Sequence, residues 1–177
     1  MRNWTRRVCA SALCILCLLA LFPVRAAAAG AIDTSRNVRL TIEYRHDGKP
    51  VASVPFELYY VASVDTYANF TLAGNFTAYP VMLENLTAAE WTALAETLAA
   101  YAERDNLTPL DSGKTDASGS LTFPNETDRL APGLYLAVGK KHTAGGYTYT
   151  TEPFLVSLPN LENDAWVYDV TASPKHT

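Results

Sequence analysis

The side chains that most often perform catalysis or bind metals are sparse in this chain and spread along it. The histidines are far apart, and none has the spacing of metal ligands or stands beside a nucleophile motif: His46, His142 and His176. Several aspartates stand next to turn residues, where a carboxylate typically accepts hydrogen bonds from nearby backbone amides: Asp47, Asp111, Asp116 and Asp128. We therefore expect no metal, no cofactor and no enzyme active site. A Ser-His-Asp triad is the one arrangement that spacing does not test, because its residues come together only in the folded protein.

Aromatic side chains offer a different chemistry, because an exposed ring can stack against a sugar. The chain has 10 tyrosines, most of which we interpret as packing residues. Tyr59 alternates away from the Phe56 side of its predicted strand, and Tyr67 lies in a less regular stretch. These two tyrosines are the candidate ligand contacts.

The first 29 residues have the layout of a secretory signal. Arg2, Arg6 and Arg7 precede an apolar stretch at 8–22, and small residues at 26–29 predict cleavage near Ala29. All three cysteines lie in this segment: Cys9, Cys14 and Cys17. Residues 30–177 are then predicted to form one secreted domain that has no disulfide and must be stabilised by burial.

The charge of the mature chain limits its partners. Removal of residues 1–29 leaves 10 basic and 18 acidic residues, a formal net charge of −8. Such a surface repels nucleic acid and anionic lipid. We expect no nucleic-acid partner, and no membrane insertion once the signal is cleaved.

Most of the mature sequence has the alternation of half-buried β-strands. Val38, Leu40, Ile42 and Tyr44 share one face of the first strand, Asp47-Gly48 predicts a tight turn, and Phe56, Leu58 and Tyr60 mark the second strand. Later strands are predicted through Leu121 and Phe123, at 134–138, 147–150 and 154–158, and at 165–172, with Trp166, Tyr168 and Val170 on one face. Gly145-Gly146 is read as a hairpin turn.

One segment has the period of a helix instead. Thr87 and Glu90 form a capping box, and Trp91, Leu94, Leu98, Tyr101 and Ala102 fall on one stripe. The sequence therefore predicts an amphipathic helix at about Ala88–Arg104, inserted in a mostly β, antiparallel, immunoglobulin-like sandwich.

Several motifs in order resemble the Cna B-type, or SpaA-type pilin, family of prealbumin-like β-sandwiches on Gram-positive cell surfaces. The matching pieces are Gly48-Lys49-Pro50-Val51 before Phe56-Glu57-Leu58-Tyr59, Thr115-Asp116-Ala117-Ser118-Gly119 before Phe123, Pro132-Gly133-Leu134-Tyr135, and Gly146-Tyr147. Tyr79-Pro80-Val81, the predicted helix and Glu152-Pro153-Phe154-Leu155-Val156 further resemble the amino-terminal domain of major pilins. The resemblance covers nearly all of the mature chain.

One resemblance concerns a covalent reaction. Trp166, Val170, Pro174 and Lys175 match the pilin motif Trp-x-x-x-Val-x-Val-Tyr-Pro-Lys at its spacing, with Ala172, Ser173 and His176 departing from the usual residues. In that family a sortase holds the threonine of a cleaved LPxTG signal as a thioester, and the motif lysine attacks it. The resemblance implies that Lys175 accepts the next subunit.

Many members of this family also form an internal lysine-to-asparagine amide between the first and last strands. Here the first strand offers Arg39 and Arg45 but no lysine, Gly139-Lys140 stands where the family often has its glutamate, and Lys49 lies in a turn. We therefore predict no internal amide.

The resemblance implies a non-catalytic surface protein, either a pilin-like structural or adhesive subunit or a truncated pilin. Its implied partners are other pilin subunits and a sortase. Since the sequence contains no LPxTG signal, we expect it to accept a subunit without being joined onward. The alternative is a freestanding secreted binding module for a host glycan or protein, with its contact surface between Tyr67 and Tyr79. An enzyme has the least support.

Overall fold

A computed structural model describes residues 30–175 of the chain. This part contains one α-helix, α1 (Ala88–Arg104), a 3₁₀ turn (Gly74–Phe76) and fourteen strands. The strands are β1 (Arg39–Glu43), β2 (Arg45–His46), β3 (Lys49–Pro50), β4 (Pro55–Val64), β5 (Phe70–Leu72), β6 (Asp111–Lys114), β7 (Ser120–Phe123), β8 (Gly133–Gly139), β9 (His142–Ala144), β10 (Tyr147–Tyr149), β11 (Phe154–Leu158), β12 (Asn160–Glu162), β13 (Ala165–Val167) and β14 (Asp169–Ala172).

Two sheets form the body of the fold. The larger has the order β11-β8-β4-β5, with β6 paired to the first half of β4, and the smaller has the order β14-β1-β7. Every pair in these sheets is antiparallel except β1 and β14, which run parallel with Leu40 opposite Val170. The predicted β-sandwich with one helix is confirmed, and this single parallel pair departs from the predicted antiparallel pattern.

The alternation predicted for β1 is what joins the two sheets. Leu40 and Ile42 are fully buried against Phe56 and Leu58 of β4, in the core between the sheets. The intervening Thr41 faces outward, where its hydroxyl lies 3.1 Å from that of Thr122 on β7. A period of two thus places one face of the strand in the core and the other in water.

The opposite face of the larger sheet is covered by α1. The helix has the predicted bounds, because the Thr87 hydroxyl accepts from the Glu90 backbone and the Glu90 carboxylate accepts from the Thr87 backbone. Ala95, Leu98 and Ala102 are its buried residues and pack with the helix-facing side of β4. The molecule therefore has three layers: small sheet, large sheet and helix.

The predicted last strand, 165–172, is wrong as a single element. Residues 165–167 form β13, which pairs with β12 in a hairpin, and β14 then pairs with β1. The hairpin turn is Asn163-Asp164, and both residues have positive φ angles, 49° and 60°. Asparagine and aspartate tolerate this backbone region better than other non-glycine residues, which explains why the turn forms at these two positions.

Asp111 departs from the local turn chemistry predicted for it. It is 3% exposed at the start of β6, and its carboxylate accepts from the backbone N–H groups of Ser112, Asn125 and Glu126 at 2.7–2.9 Å and from the Thr127 hydroxyl at 2.9 Å. Burial alone would raise the pKa of this carboxyl group, but these donors outweigh burial and hold it below its usual value. Asp111 therefore joins two distant segments. Asp116, by contrast, bonds only Ser118 and Ser120 nearby.

The predicted signal segment, with its three cysteines, lies outside the described residues, so both its cleavage and the domain boundary at residue 30 stay predictions. Within residues 30–175, no helix has the length and apolar character needed to cross a lipid bilayer.

Candidate functional site

Lys175 lies just beyond the end of an edge strand. β14 ends at Ala172, and Ser173, Pro174 and Lys175 continue without regular structure. Pro174 has no N–H to donate to a further strand pairing. It is half-buried, and the side chain of Lys175 is exposed. The lysine amine is thus reachable from solvent at the end of a strand that is itself fixed to β1.

The other residues of the motif pack rather than face the lysine. Val170 is 5% exposed in the core between the sheets. Trp166 is half-buried against the same core, and its indole N–H donates to the carbonyl oxygen of Gly30 at 2.5 Å. The motif therefore sets the register and the anchoring of the strand that leads to Lys175.

A groove of about 300 Å³ runs beside the lysine, between the first half of α1 and the start of β11. Its lining is largely apolar and comes from three segments: Trp91, Thr92 and Ala95; Glu152, Pro153, Phe154 and Leu155; and Ala172, Ser173, Pro174 and Lys175. It lies where the two cores meet, since Phe154 packs against the core between the sheets and Leu155 against the core under α1.

Charged groups surround the end of β14 on both sides. Glu152 lines the groove beside α1, while Glu43 and Arg45 line a second depression, of about 370 Å³, on the other side of the same three-residue tail. Glu43 and Arg45 lie 4.0 Å apart, a loose and exposed ion pair. The end of β14 thus brings together the exposed amine of Lys175, the carboxylates of Glu152 and Glu43, and the apolar groove.

The prediction of Tyr59 as a ligand contact is wrong. Tyr59 is 5% exposed, its ring lies edge-on to Phe76, and its hydroxyl donates to Glu57 at 2.6 Å. It does alternate away from Phe56, as predicted, but the side of β4 that it faces is covered by the helical layer. Tyr67, in contrast, is 83% exposed in the turn between β4 and β5.

The structure also shows the surroundings of the residues that were considered for an internal amide. The inward positions of β1 and β14 carry Leu40, Ile42 and Val170, so the strands that would be joined meet through aliphatic side chains. Lys140 is instead paired with Glu57, at 2.6 Å, and Lys49 is exposed in β3. The absence of an internal amide stays a prediction.

Two histidines that are far apart in sequence come together on Tyr149. The ring centres of His46 and His142 lie 5.4 Å and 6.3 Å from that of Tyr149, because the β9–β10 hairpin folds over the end of β2. Both histidines are half-buried. Within residues 30–175 no group of three histidine, cysteine or acidic residues is arranged to hold a metal ion, and His176 lies outside the described part.

No protein-family model matches this chain, and no curated protein matches it. Several solved structures do. The chain is similar to the full-length major pilin SpaD from Corynebacterium diphtheriae, with 25% identity and a TM-score of 0.47 over 82% of this chain. It is also similar to the shaft pilin SpaA from Lactobacillus rhamnosus GG, with 20% identity and a TM-score of 0.45 over 80% of this chain and 47% of that one.

The fimbrial protein FimP from Actinomyces oris is similar over 84% of this chain, with 21% identity and a TM-score of 0.50. This similarity shows that the described sandwich with its covering helix has the fold of that fimbrial protein. The chain spans 31% of the length of SpaD and 31% of that of FimP.

Proposed function

We propose that this chain is an exported, non-catalytic, pilin-like surface subunit, and that Lys175 is the amine to which a sortase joins a neighbouring subunit. One observation carries the proposal. The exposed lysine follows Pro174 just beyond the end of β14, directly beside a groove of about 300 Å³ with a largely apolar lining. The pilin-like fold is consistent with a structural role at the cell surface.

The proposed reaction is an acyl transfer to nitrogen. The neutral amine of Lys175 attacks the carbonyl carbon of a threonine that the sortase holds as a thioester. A C–N bond forms, the C–S bond breaks, the cysteine thiolate of the sortase leaves, and the proton lost by the amine passes to a base. Only the neutral amine is nucleophilic, so the site must present Lys175 where the enzyme can take up its proton.

The groove supports this role because of its shape and lining. Trp91, Phe154 and Leu155 supply apolar walls, which suit the leucine and proline of an LPxTG signal. Glu152 lines the same groove as Lys175 and is a carboxylate close to the end of β14. The strand that precedes the lysine is held in register with β1, so the amine lies only three residues beyond the end of a paired strand.

The test is to incubate the protein with the cognate sortase and a peptide that contains an LPxTG signal, and to locate the adduct by peptide mass spectrometry. We expect an amide at Lys175 and its loss in Lys175→Ala. Lys49→Ala is the matched control, because Lys49 is also exposed and follows a turn. No adduct with the unchanged chain, or an equal adduct in Lys175→Ala, would falsify the assignment.

A second candidate function is a freestanding binding module for a host glycan or protein. It is favoured by Tyr67, which at 83% exposure is the most exposed large hydrophobic residue of the described part, and by Met82, which is 74% exposed. A glycan array tests it: saturable binding that is lost in Tyr67→Ala supports the binding module. Tyr147→Ala is the control, since Tyr147 is 65% exposed in a different hairpin.

A further inference from the structure

Residues 30–37 form no helix or strand, and yet they are fixed to the sandwich at several points. Ile32 is 2% exposed, and its N–H donates to the carbonyl oxygen of Thr66 at 2.9 Å. The Gly30 carbonyl accepts from the indole N–H of Trp166 at 2.5 Å, and the N–H of Asp33 donates to the hydroxyl oxygen of Tyr168 at 2.7 Å. We call residues 30–36 the amino-terminal latch.

The latch is held by the same segment that leads to Lys175. The guanidinium carbon of Arg36 lies 4.2 Å from the ring centre of Tyr168, a distance typical of a cation–π contact. The carbonyl of Tyr168 also accepts from the N–H of Arg39, at the start of β1, at 2.8 Å. Tyr168 thus bonds the latch through its hydroxyl and its ring, and bonds β1 through its backbone.

β14 begins directly after Tyr168 and needs such an anchor. It has four residues, and in the described part of the chain it pairs only with β1. A short edge strand that is bonded on one side opens more readily than a central one, and such openings start from unanchored ends. The carboxyl end of β14 continues into the exposed lysine tail, so the end at Tyr168 is where the strand is fastened.

We infer that Trp166 and Tyr168 are positioning residues, which use the amino-terminal latch to fix β14 and thereby the place of Lys175. The consequence for Lys175 rests on the proposed function, but the mechanical link between the latch and β14 does not. The first residues after the predicted cleavage site and the last strand are then one structural unit, since each holds the other.

Hydrogen exchange on the full chain tests this link. Trp166→Phe removes the indole donor and keeps an aromatic ring, and Tyr168→Phe removes only the hydroxyl. In either variant we expect the backbone amides of residues 31–33 and of Asp169–Ala172 to exchange about fivefold faster, the factor expected for one lost hydrogen bond. The amides of α1 and β7 should exchange at the unchanged rate.

Tyr59→Phe is the matched control, because the Tyr59 hydroxyl donates to the Glu57 carboxylate at 2.6 Å and the ring packs in the cluster under α1, not in the core that contains Val170. It should leave exchange in β14 unchanged. Arg36→Gln provides a second variant that leaves the core intact, since Arg36 is exposed. Faster exchange at residues 31–33 with no change in β14 would overturn the inference, because the latch would then hold only itself.

A sortase assay separates this inference from the proposed function. Suppose that the unchanged chain is joined at Lys175. Slower joining in Trp166→Phe and Tyr168→Phe, together with faster exchange in β14, then supports a positioning role. If the unchanged chain is not joined but exchange in β14 still accelerates, the proposed function fails and the latch stands. Joining and exchange that are both unchanged in the variants would remove the latch.

Discussion

The two faces of the larger sheet are covered in different ways. The face toward the small sheet packs against strands from both ends of the chain, with large side chains such as Tyr44, Phe56 and Tyr135 at 0–1% exposure. The face toward α1 is covered by one continuous stretch of chain, 73–107, and the buried helix residues are small or medium in size: Ala95, Leu98 and Ala102. We call these the sandwich core and the helix-side core.

This difference means that substitutions in the two cores should affect the stability of the domain and the groove beside Lys175 differently. Contacts in the sandwich core join residues distant in sequence, so losing one of them affects the whole domain. Contacts in the helix-side core attach a local cover. The groove beside Lys175 lies on the boundary, with Phe154 belonging to the sandwich core and Leu155 to the helix-side core. A shift of α1 would change the groove without unfolding the sandwich.

Phe56→Ala should give the largest effect. Phe56 is 1% exposed in the middle of the sandwich core and packs edge-on against Tyr44, with ring centres 6.0 Å apart. Removing a buried phenyl ring costs about 4 kcal/mol of unfolding free energy. Urea unfolding followed by tryptophan fluorescence measures it, and we expect one cooperative transition at a lower midpoint. A loss below about 1.5 kcal/mol would mean that the sandwich core collapses around the cavity.

Phe76→Ala is the matched substitution in the helix-side core. Phe76 is also 1% exposed, but it lies in the 3₁₀ turn and packs against Tyr59 and Tyr79. We expect a smaller loss, about 3 kcal/mol, because the covering segment can relax into the space. Hydrogen exchange should accelerate in residues 73–83 and in α1 well before it does in β1 and β8. Equal acceleration everywhere would show that the two cores unfold as one unit.

Asp111→Asn tests whether the stability of the sandwich comes from apolar packing alone or also from this buried carboxylate. The substitution keeps the shape but replaces a charged acceptor, and we expect a loss of about 2 kcal/mol at pH 7. The pKa of Asp111 lies below its unfolded value of 3.8, so its contribution is present above that pH and is lost as the pH falls through the folded pKa. The difference between the two proteins in urea unfolding should therefore shrink at pH 3.

Asp116→Asn is the control for that prediction. Its carboxylate also accepts backbone N–H groups, and its pKa is also lowered, chiefly by the Ser118 hydroxyl, but the group is exposed and bonds only within its own turn. The change in stability should be smaller than for Asp111→Asn. A larger effect at Asp116 would mean that burial and long-range bonding at Asp111 add nothing.

The sequence predicted the elements whose signals are local. The bounds of α1 follow from a capping box and a 3.6-residue period, and the burial of Leu40 and Ile42 follows from alternation. What alternation cannot supply is the direction of a partner strand or the layer that covers the second face of a sheet. The parallel pairing of β1 with β14 and the burial of Tyr59 were missed for these reasons.

The site was predictable only in part. The motif predicted that Lys175 lies beyond the end of a strand, after Pro174. The groove beside it could not be predicted, because it is formed by α1 and β11, and no sequence motif relates these two segments. The amino-terminal latch was also invisible, because Trp166 and Gly30 are 136 residues apart. The Asn163-Asp164 turn did have a signal, since two residues that tolerate positive φ stand directly before the apolar run Ala165-Trp166-Val167.

The smallest expected effect concerns the attachment of the helical layer. Thr87→Ala removes the hydroxyl that caps α1 and should cost about 1 kcal/mol of unfolding free energy. Thr97→Ala is the control: the Thr97 hydroxyl bonds the carbonyl of Ala93 within the helix, at 2.8 Å, and its loss should be nearly neutral because alanine has the higher helix propensity. Hydrogen exchange should accelerate in the first turn of α1, next to Trp91 and the groove, and not in β4. The helix forms one wall of the groove beside Lys175. If the helix-side core controls access to this groove, Thr87→Ala should also slow joining at Lys175. Unchanged joining would assign the groove to the sandwich core alone.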